Sequence, residues 1–160
     1  MNARCRSNTS SMTKVLYPVY IFLFAAMAVT GLAQMPIFKR YYVADIPGLG
    51  WLAEFYFTHR LHYMGAIVFL ALVAYMLTHF LLTAKRNYSL TFSAHVRIVL
   101  LAGIILTGVF RVLKNLPDVV FSPTFTLVID ISHLGFMMVY LLAALLCMVF
   151  RSCWLVRKPG

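Results

Sequence analysis

The sequence predicts an all-α integral membrane protein, a four-helix up-down-up-down bundle with both termini on the inner side. Three observations lead there. The 160 residues are 62% hydrophobic and 11% charged, where a soluble domain carries about 25% charged residues. Four apolar runs, about 15–34, 60–83, 94–113 and 123–150, each reach the roughly 20 residues that about 30 Å of hydrocarbon requires. The basic residues then divide unevenly between the two sides. Only a polar N-terminus, one longer loop, two short turns and a basic tail remain, so the chain is read as a single transmembrane domain. No internal repeat or low-complexity segment is evident.

Span one, "VLYPVYIFLFAAMAVTGLAQMP", has no charged residue. It exceeds a leader h-region, and "AVTGLAQMP" lacks a small-x-small cut site, so it is read as retained. Pro18 is expected in its first turn, where a missing N–H costs nothing. Thr30-Gly31 near its far end permits close packing. In the next loop, Pro47-Gly48-Leu49-Gly50 marks a turn. Trp51, Leu52, Phe55 and Tyr56 then suggest a short interfacial helix or the exposed first turns of helix two.

Helix three, "SAHVRIVLLAGIILTGVFRVLKNLP", takes Ser93 as its expected N-cap and stops at Asn115 to Pro117. Gly103, Thr107 and Gly108 give it a small-residue face. Helix four takes Ser122 as cap with Pro123 at its first helical position. It runs to Phe150, a length of about 40 Å at 1.5 Å per residue, so its ends are expected to protrude.

The net charge of +10 invites a nucleic-acid reading, and its distribution argues against one. With the N-terminus inside, the inner segments hold Arg4, Arg6, Lys14, Lys85, Arg86, Arg97, Arg151, Arg157 and Lys158. The outer segments hold Lys39, Arg40, Arg60, Arg111 and Lys114. Nine basic residues against five give the orientation by the positive-inside rule, with some attraction to anionic lipid besides. All four acids, Asp45, Glu54, Asp118 and Asp130, fall on or near the outer face. The expected location is a bacterial inner membrane, crossed several times. Cys5, Cys147 and Cys153 lie toward the inner side in no C-x-x-C or C-x-x-C-H pair. That spacing argues against iron–sulfur ligation and covalently attached haem, and the three are expected to be reduced and unpaired.

The histidines carry the functional signal. Ionisable groups inside a span usually have partners and functions. His62 and His79 are 17 residues apart on helix two, about 25 Å at 1.5 Å per residue, so one imidazole lies near each membrane face. His133 sits in the outer half of helix four and His95 at the inner start of helix three. His79 and His95 are each eight residues from Asn87 and so share a depth. Counted from the basic inner ends, His62 is 23 residues from Lys85 and His133 is 18 from Arg151. That mismatch is about 7 Å, within the reach of tilt and side-chain length. His59 fits worse and is expected at the interface.

Two histidine pairs, one near each face of a helical bundle, are what two bis-histidine b-type haems need. Zinc is a poor rival, because His62 and His79 cannot reach one ion and His59 with His62 lacks further ligands. Gly65 and Ala66 after His62, and Ala102 on the face of His95, would leave room beside a macrocycle. Arg97 and Arg111, or Arg60, would pair with haem propionates, or serve only as topological and interfacial anchors.

"AVTGL" near the end of helix one, "LHYMG" opening helix two and the histidine in helix four resemble the four-helix cytochrome b subunits of membrane oxidoreductases. These are the subunits of respiratory formate dehydrogenase, nickel–iron hydrogenase and thiosulfate reductase. The resemblance covers most of the chain through short motifs. It implies electron transfer between a quinone, menaquinone or ubiquinone, and partner redox subunits of the iron–sulfur or multihaem cytochrome c kind. It matches His62 and His133 to the outer haem's ligands. The inner haem's ligands do not carry over: Tyr17 and Tyr20 stand at the start of helix one, and Cys147 stands where helix four would offer the second. The inner haem would have to be rebuilt from His79 and His95, or be absent.

Asp130 lies three residues before His133, on much the same helix face. It would orient that histidine, take a proton when quinol is oxidised, or simply favour the helix N-terminus from the first turns. His59, Glu54 and Tyr63 are further quinone or proton candidates at the same face. The chain carries no substrate centre of its own beyond quinone chemistry. A haem-free anchor or assembly subunit is the alternative. A small proton or solute carrier is a third reading, against which stand the short chain and the lack of inverted repeats.

Overall fold

A computed structural model describes residues 11–35 and 45–158. Arg4, Cys5, Arg6, Lys39 and Arg40, all weighed above, lie outside the described residues. The protein forms two compact units. The first carries helices α1 (Ser11–Ala33) and α2 (Phe55–His79). The second carries α3 (Phe92–Leu113), α4 (Pro123–Val149) and two short strands, β1 (Tyr88–Leu90) and β2 (Leu155–Arg157). Each of the four helices is long and apolar enough to cross a membrane. Large apolar side chains such as Phe22, Ile67, Val99, Leu106 and Met148 stand exposed along them, surface suited to lipid rather than water.

In the first unit, α1 begins at Ser11, so Pro18 lies inside the helix and not in its first turn. Pro18 has no N–H, so the Lys14 carbonyl loses its helical partner there. After α1, Ile46 to Leu49 close a turn, with the Leu49 N–H 3.0 Å from the Ile46 carbonyl. Gly48 takes φ 88°, a left-handed conformation suited to the residue after a proline in such a turn. A 3₁₀ turn over Gly50–Ala53 follows, and it buries Leu52 while leaving Trp51 exposed. Phe55 and Tyr56 belong to the first turn of α2. The interfacial aromatics therefore divide between the 3₁₀ turn and the helix.

As contact positions fall along α1 they rise along α2. Thr30 meets His62, Met27 meets Gly65, and Tyr20 and Phe24 meet Phe69 at ring separations of 5.6 and 6.0 Å. This order is that of an antiparallel pair. Apolar surface gains nothing by leaving lipid, so the pairing relies on close packing and hydrogen bonds. Gly65 serves the packing: a Cβ there would stand 2.7 Å from Met27 Sδ. The space expected beside Gly65 for a cofactor is thus filled by Met27. Beyond His79 the helix widens into a π-turn over Phe80–Ala84, closed by Lys85 N–H on the Phe80 carbonyl at 2.8 Å.

In the second unit the N-cap of α3 is Thr91, whose hydroxyl accepts from Ala94 N–H at 3.1 Å. Ser93, the expected cap, lies inside the helix and turns its hydroxyl to the Cys153 carbonyl at 3.3 Å. Ser122 caps α4 as expected, accepting from Phe125 N–H at 3.3 Å, and Pro123 occupies the first turn. The α3–α4 contacts again run in opposite order, from Gly103 with Phe136 through Thr107 with His133 to Arg111 with Asp130.

Helix α4 ends with Arg151 at φ 50°. Ser152 N–H reaches the Cys147 carbonyl at 2.8 Å and Arg151 N–H the Met148 carbonyl at 3.2 Å. These are the two bonds of a Schellman cap, here with arginine where glycine is usual. The cap turns the tail back so that β2 pairs antiparallel with β1, Ser89 opposite Val156. The basic tail is therefore ordered. Cys153 within it is disulfide-bonded, which corrects the expectation of three unpaired thiols. Cys147 is a free thiol.

Candidate functional site

The sharpest feature is an arrangement that occurs twice. In the first unit, His62 Nδ1 lies 3.0 Å from Thr30 Oγ1. In the second, His133 Nδ1 lies 3.0 Å from Thr107 Oγ1. Each threonine is followed by a glycine against which the imidazole rests. A Cβ on Gly31 would stand 3.1 Å from His62 Cε1, and one on Gly108 would stand 3.3 Å from His133 Cε1. Thr-Gly on one helix thus makes a seat for histidine on the next.

The hydroxyls assign the tautomers. Thr30 Oγ1 donates to the Ala26 carbonyl at 2.8 Å, and Thr107 Oγ1 to the Gly103 carbonyl at 2.7 Å. A hydroxyl has one proton, so in each pair the imidazole Nδ1–H donates to the threonine oxygen. In each ring Nδ1 carries a proton, so a neutral imidazole there presents its lone pair on Nε2. That is the form in which histidine ligates a metal, its other nitrogen held by a hydrogen bond.

Around His62 the network extends. Gln34 Nε2 donates to the Thr30 carbonyl at 3.2 Å, and Gln34 Oε1 lies 3.1 Å from His59 Nδ1. His59 stacks on Phe55 with 5.5 Å between ring centres and meets Tyr63 at 4.4 Å. Gln34, just past α1, thus links His59 to Thr30 and so to His62, and Tyr63 joins by its contact with His59. Glu54 is exposed just before α2, where a carboxylate suits the helix N-terminus. Its backbone carbonyl accepts from Thr58 Oγ1 at 3.1 Å.

Asp130 corrects part of the expectation. It lies two turns into α4. Its carboxylate does not orient His133, which Thr107 holds. It receives Lys114 Nζ at 2.8 and 2.7 Å and Arg111 Nε at 3.1 Å. Arg111, expected on a propionate, is thus engaged with Asp130. Arg97 is also engaged: its Nε donates to the Ser93 carbonyl at 3.1 Å, and its Cζ lies 3.9 Å from the centre of the Trp154 ring.

His79 and His95 fall in separate units. His79 closes α2 at the α-to-π junction, with Tyr75 stacked on it at 6.3 Å; π-turns recur at functional sites. His95 is exposed in the first turn of α3, its Nδ1 2.8 Å from the Thr91 carbonyl. That bond sets the same Nδ1–H tautomer. Ala102 is exposed on the same helix face. Among the described residues, no three His, Cys, Asp or Glu side chains converge as a metal-ion cluster.

Thr30, Gln34, Thr107 and Lys114 are the polar partners that sequence reasoning passed over. The available signal was the Thr-Gly dipeptide, at 30–31 and again at 107–108, each in the helix before a histidine-bearing one. No family model, curated protein or solved structure matches this chain.

Proposed function

We propose that the protein is the b-type cytochrome subunit of a membrane redox complex. In this reading it is a four-helix up-down-up-down bundle in a bacterial inner membrane, with both termini inside. The observation that carries the reading is the repeated threonine-anchored imidazole. The fit to haem iron rests on the donor set: at His62, His133 and His95 the protein holds Nδ1, so that the neutral ring would offer Nε2 to a metal. By the depth pairing read from the sequence alone, His62 and His133 would hold a first haem, and His79 and His95 a second. Bound there, haem supplies one-electron redox chemistry.

The rest falls to the protein's own groups. Thr30 and Thr107 fix the two rings in rotation and tautomer. His59, bonded to Gln34 and stacked on Phe55, offers a hydrogen-bonding group for a quinone one helical turn from His62, with Tyr63 beside it. Asp130, with Arg111 and Lys114, offers a charged group one turn from His133, and Glu54 an exposed carboxylate at the end of α2. Electrons would pass between a quinone and partner redox subunits. A haem-free anchor is the second reading, because the same Thr–His bonds would staple each helix pair without a cofactor.

A reduced-minus-oxidised visible spectrum of the purified protein, with a haem assay, separates the two. The cytochrome reading expects an α-band and one or two haems per chain. His62→Leu and His133→Leu should each abolish the first haem, and His79→Leu should remove only the second. A pure, folded, haem-supplemented chain without an α-band sinks the cytochrome reading.

A further inference from the structure

Arg97 is a cation nine-tenths buried, at 5% exposure, and it makes no ion pair among the described residues. The chain has only four acids. Within this unit, Asp130 is engaged at the far end of α3 by Arg111 and Lys114, and Arg111 is 14 residues from Arg97, about 21 Å along the helix. Asp118 lies beyond that same end. A buried charge without a counter-charge is expensive, so the near end of this unit calls for an anion that no described residue of the unit supplies.

The tail has shaped the site. Trp154 covers one face of the guanidinium at 3.9 Å. Nε donates to the Ser93 carbonyl and Nη2 to Ser93 Oγ, at 3.1 and 3.4 Å. Trp154 is itself held, its carbonyl accepting from Thr91 N–H at 3.1 Å, and β1–β2 pairing closes the tail onto the helix start. Of the five guanidinium N–H groups, two are used. No buried side-chain nitrogen or oxygen is left without a partner among the described residues, so Nη1, which makes no bond, reaches the surface. Exposed His95, Arg151 and Lys158 belong to the same end of the unit, and no acid does.

Arg97 stands five residues into α3, about 7 Å from its start, near one end of a helix long and apolar enough to cross a membrane. An arginine there normally reaches outward to water. Here tryptophan and Ser93 pin it, so the anion must come to it. We propose that the outward edge of the Arg97 guanidinium, clamped by Trp154, is a binding site for a phosphate group, supplied by an anionic phospholipid. The planar fork matches phosphate oxygens, and a place near the end of a span-length helix suits a lipid headgroup. This assignment is independent of the haem reading, and it takes Arg97 away from a propionate.

The test uses the full chain with Trp51→Phe, which leaves Trp154 as the reporter, in phosphatidylcholine vesicles containing brominated phosphatidylglycerol or brominated phosphatidylcholine. The expected result is preferential quenching by phosphatidylglycerol, with a relative affinity of about fivefold, the preference one cation confers at an anionic surface. Arg97→Gln should bring the ratio to one. Arg97→Lys, which keeps the charge and loses the fork, should lower it partway and serves if the glutamine variant does not fold. Excess inorganic phosphate should leave the preference intact. If it erases the preference, free phosphate is the source and the lipid assignment falls. An unchanged ratio in folded Arg97→Gln, or no preference in the parent chain, overturns the site. So does haem loss in Arg97→Gln with the lipid preference kept.

Discussion

His133 Nδ1 stands 3.0 Å from Thr107 Oγ1, the same separation as between His62 Nδ1 and Thr30 Oγ1. Thr107→Val keeps the shape and removes the acceptor. An imidazole N–H left unbonded inside a helix pair should cost about 1–3 kcal/mol. Thermal unfolding in detergent reads that loss, and Thr107→Ser should restore most of it. In the cytochrome reading, haem retention should fall alongside. A valine variant that matches the parent in both measurements would remove the anchoring role.

The glycines predict a graded series. A Cβ on Gly103 would meet the Phe136 ring at 2.9 Å, and a ring packed between helices cannot yield cheaply. Gly103→Ala should destabilise by about 1–3 kcal/mol. At Gly108 and Gly31 the added methyl would press the imidazoles at 3.3 and 3.1 Å. Those variants should unfold closer to the parent temperature while shifting the α-band of any bound haem. Equal unfolding temperatures for all three alanine variants would contradict the packing.

Asp130 is partly exposed, at 37%, so its ion pairs are screened and should contribute only about 1 kcal/mol or less each. Lys114 approaches both carboxylate oxygens and Arg111 one. Double-mutant cycles with Asp130→Asn should therefore couple more strongly to Lys114→Met than to Arg111→Met. If Asp130 also serves quinol oxidation, Asp130→Asn should slow turnover with haem content unchanged.

Arg151 holds a left-handed conformation at φ 50° that favours glycine. Arg151→Gly should raise stability by about 1 kcal/mol, the steric cost removed at a Schellman position. A drop in unfolding temperature would mean that the arginine side chain contributes more than its backbone strain costs.

The tail also carries a test of topology. The charge count puts it inside, whereas a disulfide at Cys153 belongs to an oxidising compartment. A C-terminal fluorescent-protein fusion should light up if the charge rule governs. A C-terminal alkaline-phosphatase fusion should be active if the tail faces the oxidising side. In the purified chain, Cys147 should accept maleimide before reduction and Cys153 only after it.

The sequence by itself determined the four apolar helices, because span length and hydropathy are local properties that the membrane reads directly. It also determined the Ser122 cap with Pro123 and the Pro47-Gly48 turn. Local signals misplaced Pro18 and Ser93, since α1 winds about one turn further back than its apolar run and α3 is capped two residues earlier than expected. What only the tertiary structure decided is who meets whom across helices. That Thr30 holds His62, that Lys114 joins Arg111 on Asp130, that Met27 fills the space at Gly65, and that Trp154 folds back over Arg97 all follow from the register of one element against another. No periodicity within a single helix encodes that register. It is set where glycine lets the backbones approach and where each buried donor must find its acceptor.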